Sequence, residues 1–357
     1  MNKIEKMEIL NSQNKSTACA IFIALAFLTS SCILHAKNKS AIDSESDTIA
    51  NITFFKDAPG QYEIKGNKDS ISIPFEYYGG NKILIHGDIN GRKVKLLVDN
   101  GKLWDQVWFY NGEVDSLNLR YKNSIQQEAE GLGEDGGSII IDGTDVDITF
   151  GDVSFRNQPS LISTPDAGWQ NRFPGVNGQV SALFFKHFFV KFDFENFVII
   201  LTKPDKFKFS GKGQAITIHK RDNGSYCIPF TLQIADKLIE NYLIDIDLGT
   251  IFPLHLFENK KMNIRLPTNA EKHILGYGGS GKIIGYSGNI NIVKIGNYSF
   301  VNVPTEFVEE SKNFSIIETG TFGIPLMNKF NITFDYFNLK MYIEPNKNYT
   351  TPFKKEY

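Results

Sequence analysis

The chain has 357 residues, of which 41% are hydrophobic, which is enough to build the core of one bilobal body or of two domains. The formal net charge is −2, and no basic cluster is larger than a short lysine pair. Nucleic-acid binding needs a concentrated basic face, so the composition argues against that class of function.

The N-terminus is expected to be a targeting segment. Lysines precede an apolar run from Ala18 to Leu28, which is too short to span a bilayer and is typical of a signal-peptide core. Small residues then lead directly to Cys32, as in a bacterial lipobox. We therefore expect residues 1–31 to be a signal peptide and Cys32 to be the lipidated first residue of an exported protein, anchored to the bacterial cell envelope and facing the periplasm. An ordinary secretory signal cut after Ala36 is the alternative.

Beyond the signal, residues 32–68 are expected to form a polar tether with a leading strand. Short runs rich in Ile, Val, Phe, Tyr and Thr then alternate with turn residues, which predicts β-structure throughout. Asn90-Gly91 is expected to close a hairpin, because this dipeptide favours the tight turn between antiparallel strands. Short helices are predicted over residues 180–188 and 325–330.

Two stretches about 145 residues apart are almost alike. Phe150–Pro159 and Ile295–Pro304 carry Gly, Ser, Phe, Asn and Pro at the same offsets. Two further pairs of segments recur in the same order, namely Ile73-Pro74-Phe75 with Ile228-Pro229-Phe230, and Phe192-Asp193-Phe194 with Phe334-Asp335-Tyr336. The repetition predicts that one β-rich unit is used twice.

Each half also contains an apolar run that ends in Asp-x-Gly, with Asp99 in the first half and Asp247 in the second. The glycines of these triplets, Gly101 and Gly249, would let two backbones approach closely without a Cβ clash. Taken alone, Asp99-Asn100-Gly101 is more often a type I′ hairpin turn than a catalytic loop.

Other aspartates compete for the same role. Asp245 lies close to Asp247, but only Asp247 precedes a glycine and has a hydroxyl, on Thr250, at the third position. Asp193 and Asp335 recur as well, but they lie in the closing strands of their halves, so we expect them to be structural.

The order of these elements resembles that of the bacterial retropepsin-like and pepsin-like aspartic proteases, in a two-lobed, single-chain form, over roughly residues 71–345. In that family each lobe has an apolar strand, Asp-Thr/Ser-Gly, a glycine-rich flap hairpin, an apolar-apolar-Gly segment that opens a short helix, and a closing strand. The resemblance implies an all-β fold of two homologous aspartic-protease-like β-barrel lobes with a few short helices. The lobes would span residues 69–203 and 214–346, joined by a connection at 204–213 and followed by a tail at 347–357.

The resemblance also implies a chemistry, that of an aspartic-type endopeptidase of the cell envelope. Asp99 and Asp247 would share one proton and activate a water that hydrolyses a peptide or unfolded protein, without a cofactor or metal. The chain would act as a monomer, with its lipid anchor in the membrane. The flap residues would be Gly131 and Gly133 in the first lobe, and Tyr277, Gly278 and Gly279 in the second.

Four positions depart from the family pattern. Asn100 and Leu248 stand where the family has Thr or Ser, whose hydroxyl locks the two loops together. Lys102 replaces the hydroxyl that Thr250 keeps in the other lobe, and an ammonium near Asp99 would lower the pKa of that carboxyl. In addition, Asn177 precedes the tight-packing Gly178 where the family prefers an apolar residue. The alternative is a catalytically degenerate lipoprotein that binds a peptide or partner protein without cleavage.

Overall fold

The computed structural model describes residues 62–101, 104–110, 114–129, 133–135, 138–165, 168–209, 212–259, 264–265, 270–309 and 319–354. The predicted signal peptide, Cys32, the tether up to residue 61, Lys102 and Gly131 lie outside the described residues. Within the described ranges, no helix has the length and apolar character needed to cross a membrane.

Short strands dominate both halves of the chain. The elements of the first half are β1 (Tyr62–Ile64), β2 (Ser70–Tyr78), β3 (Lys82–Ile89), β4 (Arg92–Val98), β5 (Val107–Phe109), β6 (Tyr121–Glu128), β7 (Glu134–Asp135), β8 (Ile139–Phe150), β9 (Val153–Ser163), α1 (Trp169–Arg172), β10 (Gly178–Val180), α2 (Ala182–Phe185), β11 (Phe189–Asp193) and β12 (Val198–Thr202). Those of the second half are β13 (Gln214–Thr217), β14 (His219–Lys220), β15 (Tyr226–Ile234), β16 (Lys237–Ile246), β17 (Leu254–Phe257), β18 (Lys272–Gly278), β19 (Gly281–Ile295), β20 (Tyr298–Val308), β21 (Gly320–Phe322), α3 (Ile324–Met327), β22 (Phe330–Asp335) and β23 (Lys340–Pro345). The prediction of a two-lobed all-β fold with a few short helices is confirmed.

Alternation of buried and exposed side chains accounts for these strands. Along β2, Ile71, Ile73 and Phe75 point into the core while the residues between them face solvent. This is the period-2 pattern of a strand that has one buried face. The strands next to the predicted Asp-x-Gly triplets, β4 and β16, instead end in buried runs, as expected where both faces are covered.

One sheet joins the two halves. From one edge, its strands run in the order β13-β23-β22-β11-β12-β2, so the closing strands of both halves, β22 and β11, lie side by side. β11 pairs antiparallel with β22, with Val190 opposite Phe334 and Phe192 opposite Ile332. This shared sheet holds the two halves in a fixed relation, with each Asp-x-Gly triplet at the end of a strand in its own lobe.

The repeated sequence stretches have a backbone explanation. Gly151 and Gly296, the shared glycines, have φ angles of 58° and 55°, in the left-handed region that glycine adopts most readily. Asn157 and Asn302, the shared asparagines, have φ angles of 51° and 52°, and Asn tolerates this region better than most residues. The similarity therefore records two copies of one hairpin, β8–β9 and β19–β20.

The closing strands repeat as well. Asp193 accepts hydrogen bonds from the backbone N–H and the side-chain amide of Asn196, at 3.0 and 3.1 Å. Asp335 accepts the same two bonds from Asn338, at 2.9 and 2.8 Å. Both carboxylates thus fix the turn that follows their strand, which is the structural role expected from the sequence.

One sequence match between the halves is wrong. Ile73 lies on β2, whereas Ile228 lies on β15 and pairs with Ile244, three residues before Asp247. The residue that pairs with Leu96, three residues before Asp99, is Ile85 on β3. Ile228 therefore corresponds to Ile85. A short apolar-Pro-apolar string fits many strands, and only the hairpin register distinguishes them.

Candidate active site

The two Asp-x-Gly loops leave their strands in the same way. The backbone N–H of Asp99 donates to the carbonyl of Val180 on β10, at 3.0 Å. The backbone N–H of Asp247 donates to the carbonyl of Phe322 on β21, at 3.1 Å. In each lobe the acceptor strand runs parallel to the strand that carries the aspartate. The local repeat therefore positions both aspartates by the same bond.

The structure brings the two carboxylates together. They lie within hydrogen-bonding reach of one another, and each also accepts the N–H of its own loop glycine, at 3.0 Å from Gly101 and 2.7 Å from Gly249. A Cβ on Gly101 would lie 2.8 Å from the carboxyl carbon of Asp247, and one on Gly249 would lie 2.5 Å from Oδ2 of Asp99. Each carboxylate thus packs over the glycine of the opposite loop, where no larger residue fits.

This proximity perturbs the titration of the pair. Burial raises the pKa of Asp99, the charge of Asp247 raises it further, and the N–H of Gly101 and the ammonium of Lys82 oppose the rise. The resulting pKa of Asp99 is about 7, against an ordinary value of 3.8. Two carboxyl groups in contact cannot both ionise readily, so the pair holds one proton over a wide range of pH.

The carboxylate of Asp247 has a hydroxyl partner. Oγ1 of Thr250 donates to Oδ2 of Asp247 at 2.7 Å and lies 2.9 Å from Oγ1 of Thr321. This is the orienting hydroxyl expected at the third position of the triplet. The corresponding residue of the first lobe, Lys102, lies outside the described residues.

Asn100 crosses between the lobes. Its Oδ1 accepts the backbone N–H of Leu248 at 2.8 Å, and its Nδ2 donates to the hydroxyl of Tyr336 at 3.1 Å. Asn100 is buried, so these bonds are shielded from water. The side chain of Leu248 is also fully buried, but it contributes only apolar packing. Of the two described side chains at this position of the triplets, Asn100 forms hydrogen bonds between the lobes and Leu248 does not.

A residue that sequence reasoning missed, Lys82, lies beside the pair. Its Nζ donates to the carbonyl of Gly249 at 2.8 Å and lies 5.4 Å from the ring centroid of Phe173. Burial lowers the pKa of Lys82, and the charges of Asp99 and Asp247 oppose this effect. The signal was present in the sequence, because the predicted Asn90-Gly91 turn fixes the β3–β4 register, and counting back along it places Lys82 across from Asp99.

Two hairpins meet above the carboxylates. Gly279, at the tip of β18–β19, accepts a hydrogen bond from the backbone N–H of Ser138 at 2.9 Å, and β7 of the first lobe pairs with the start of β19. A Cβ on Gly133 would overlap the backbone of Gly281. The guanidinium of Arg172 lies 4.5 Å from the ring centroid of Tyr277. The predicted flap residues Gly133, Tyr277, Gly278 and Gly279 therefore belong to this roof.

The roof encloses a cleft of about 460 Å³ that contains both carboxylates. Its walls are mostly apolar or aromatic, as is usual for ligand-binding clefts. Besides the two aspartates, the lining includes Lys82, Trp104, Trp108, Trp169, Arg172, Phe173, His255, Leu275 and Ile283.

Asp245, the competing aspartate, is engaged elsewhere. Its Oδ1 accepts Nε of Arg221 at 2.7 Å, and its Oδ2 accepts the hydroxyl of Ser225 at 3.3 Å. Burial raises the pKa of Asp245 to about 6, and the bond from Arg221 opposes that rise. Asp245 is therefore one member of a buried ion pair within the second lobe.

The apolar-apolar-Gly segment of the first lobe was assigned wrongly. Val180 and Phe322 make equivalent bonds to the two aspartates, so the residue that corresponds to Gly323 is Ser181. Gly178 still packs tightly, since a Cβ there would lie 2.1 Å from the carbonyl oxygen of Trp108. Asn177-Gly178 resembles the end of the expected apolar-apolar-Gly segment, but Gly178 lies three residues before Ser181, which is the true equivalent of Gly323.

The described residues contain no group of three or more His, Cys, Asp or Glu that could hold a metal ion.

No protein-family model and no curated protein matches the chain. Among solved structures, the chain is similar to an aspartic proteinase from Irpex lacteus, with a TM-score of 0.49 and 12% identity over 80% of this chain and 100% of that chain. It is also similar to basic 7S globulin from soybean, with a TM-score of 0.47 and 10% identity over 79% of this chain and 95% of that one. Identities this low say nothing about the chemistry of the cleft, which depends on individual side chains.

Proposed function

We propose that the chain is an aspartic-type endopeptidase of the cell envelope that hydrolyses peptide bonds with a water activated by Asp99 and Asp247. One observation supports this above all others. The two carboxylates contact each other, and each packs over the loop glycine of the other lobe. A structural role for either aspartate gives no reason to bring two acidic groups into contact, because their mutual repulsion is costly.

The proposed chemistry follows from the shared proton. The ionised carboxyl takes a proton from a water, and the protonated one polarises the carbonyl of the peptide bond. The roof formed by the hairpin tips would exclude bulk water, which strengthens electrostatic interactions within the cleft.

The substrate would be a peptide or an unfolded segment of a protein. The cleft is too narrow for a folded domain, and its aromatic walls favour extended chains with large side chains. The two hairpins are hydrogen-bonded to one another near their tips, and in the proposed mechanism they separate to admit a chain. We expect substrate entry to be limited by this opening.

The location at the cell envelope rests on the sequence around Cys32. Replacing Cys32 with Ala should release the protein from the membrane fraction or leave an uncleaved precursor. A soluble wild-type protein that begins at Lys37 would contradict lipidation at Cys32.

A second function is favoured by specific observations and belongs to a different class. The ammonium of Lys82 lies beside the carboxylates, and Leu248 gives no side-chain bond to the lock between the lobes. Both features would impair catalysis. A degenerate protein would use the same cleft to bind a peptide or partner protein without cutting it.

Cleavage of an unfolded protein substrate between about pH 3 and pH 7, the range where carboxyl pairs titrate, separates the two functions. The proposed peptidase requires measurable cleavage that is lost in both Asp99→Asn and Asp247→Asn. Binding of the substrate without cleavage, by wild type and both variants alike, would establish the degenerate function. Cleavage that survives both substitutions would refute the carboxylate mechanism.

A further inference from the structure

The two walls of the cleft carry different side chains at equivalent places. On β17, His255 lies opposite Glu306 of β20. On β5, Trp108 lies opposite Leu161 of β9. His255 also pairs with Thr321, the residue directly before Phe322, whose carbonyl accepts the N–H of Asp247. Trp108 likewise pairs with Gln179, the residue directly before Val180, whose carbonyl accepts the N–H of Asp99. The internal repeat therefore relates His255 to Trp108 and Glu306 to Leu161.

The pair in the second lobe is polar and deeply buried. His255 is 6% exposed and Glu306 is 1% exposed, much as Trp108 and Leu161 are at 6% and 4%. Nε2 of His255 lies 2.5 Å from Oε2 of Glu306, but not in the direction of a hydrogen bond. Among the described residues, no atom forms a hydrogen bond with either ring nitrogen of His255 or with Oε2 of Glu306.

Such unsatisfied atoms require a reason, because buried polar groups are nearly always hydrogen-bonded. His255 lines the same cleft as Asp99 and Asp247, so its unsatisfied ring forms part of the wall against which a substrate would lie. At the equivalent place in the first lobe, Trp108 packs against Trp169, with ring centroids 5.4 Å apart. Nothing in the architecture requires a polar pair here, since the other lobe builds the same strands with an apolar one.

We propose that His255, held by Glu306, is a specificity-determining residue that binds an uncharged, hydrogen-bonding side chain of the peptide, namely Ser, Thr, Asn or Gln. This side chain would lie on the second-lobe side of the scissile bond. An apolar side chain of the peptide, on the other side of that bond, would face the aromatic wall of the first lobe. The inference rests on the proposed function, because it needs a peptide in the cleft.

The chemistry of the pair selects this class of side chain. With Nε2 beside Oε2 of Glu306, the other nitrogen, Nδ1, accepts a hydrogen bond when the ring is neutral and its proton is on Nε2, and donates one when the ring is charged. A hydroxyl or amide can satisfy either form, because it both donates and accepts. A charged side chain would bring a net charge beside a buried pair, and an apolar one would leave Nδ1 unsatisfied.

The test compares matched peptides that differ only in Gln or Leu at the position facing the second lobe. We expect kcat/KM of the wild type to favour Gln by about tenfold or more, the size of effect typical of one buried hydrogen bond. The double variant His255→Trp/Glu306→Leu copies the pair of the first lobe and should reverse the preference. The control Trp108→Phe alters the opposite wall and should leave the ratio of Gln to Leu unchanged.

Folding and activity are controlled separately. Glu306→Gln keeps the shape of the pair and should reduce the preference, which gives a result even if the double variant does not fold. If no peptide is cleaved, the affinities of the Gln and Leu peptides for Asp247→Asn are measured instead, and a retained preference supports the inference while the peptidase proposal fails. Equal affinity for both peptides, or a ratio that Glu306→Gln and the double variant leave unchanged, would show that the pair is only structural.

Discussion

The contact between the two carboxylates should destabilise the folded chain at neutral pH, and removing one charge should relieve that cost. The folded protein holds the proton of Asp99 up to about pH 7, whereas the unfolded chain releases it near pH 3.8. Between these values the folded state binds more protons than the unfolded state, so the free energy of unfolding falls as the pH rises. Asp99→Asn removes the titrating group and keeps an oxygen that can accept the N–H of Gly101.

The size of the effect follows from the two pKa values. The full difference between the pKa of Asp99 in the unfolded and in the folded state corresponds to a loss of about 4 kcal/mol in the free energy of unfolding. Asp99 is partly exposed and shares its proton with Asp247, so we expect about half of this, roughly 2 kcal/mol. Asp99→Asn should therefore match the wild type in stability below about pH 4, gain on it between about pH 4 and 7, and stay ahead above that range.

Urea unfolding at several pH values measures this difference directly. Asp236→Asn, at an exposed hairpin turn, is a matched control for the loss of one aspartate charge and should show no such pH dependence. A variant Asp99→Asn that is equally or less stable than the wild type at pH 8, or whose gain does not depend on pH, would refute the description of the carboxylate pair.

Two further predictions concern the surroundings of the pair. Lys82→Met removes an ammonium that favours ionised carboxylates, so the upper limb of the pH–activity profile should move to higher pH. The control Lys82→Arg keeps the positive charge and should leave that limb in place. An unmoved limb in Lys82→Met would contradict this role of Lys82. Asn100→Ala removes two buried hydrogen bonds and leaves the N–H of Leu248 without its acceptor, which should cost about 2 kcal/mol in urea unfolding. Asn100→Thr, which offers a hydroxyl oxygen to the same N–H, should lose less, and equal losses in the two variants would argue against a lock made by that bond.

The sequence predicted the fold and the meeting of the aspartates because both depend on local patterns that repeat. The Asp-x-Gly triplets and the left-handed turns at Gly151 and Asn157 each have a short sequence signal and a second copy in the other half. The order of the copies then implies the pairing of Asp99 with Asp247, which no single motif could establish.

Other features of the site depend on contacts between strands that are distant in sequence. The relation of His255 to Trp108 appears only when the register of β17 on β21 is compared with that of β5 on β10. Ser181 was missed for a similar reason. The neighbouring Asn177-Gly178 resembles the end of the expected apolar-apolar-Gly segment, and only the hydrogen bond from the N–H of Asp99 to Val180 shows that Ser181 is the equivalent of Gly323. Lys82 is the exception, since the hairpin turn alone could have located it.

The supports of the two carboxylates differ, and this difference assigns their roles in the proposed mechanism. Asp247 accepts hydrogen bonds from the N–H of Gly249 and from the hydroxyl of Thr250, and both bonds favour a charged acceptor. Among the described residues, Asp99 accepts one such bond, from Gly101, and its pKa is raised. In the proposed mechanism Asp247 is therefore the carboxylate that takes the proton from water, and Asp99 is the acid that polarises the carbonyl.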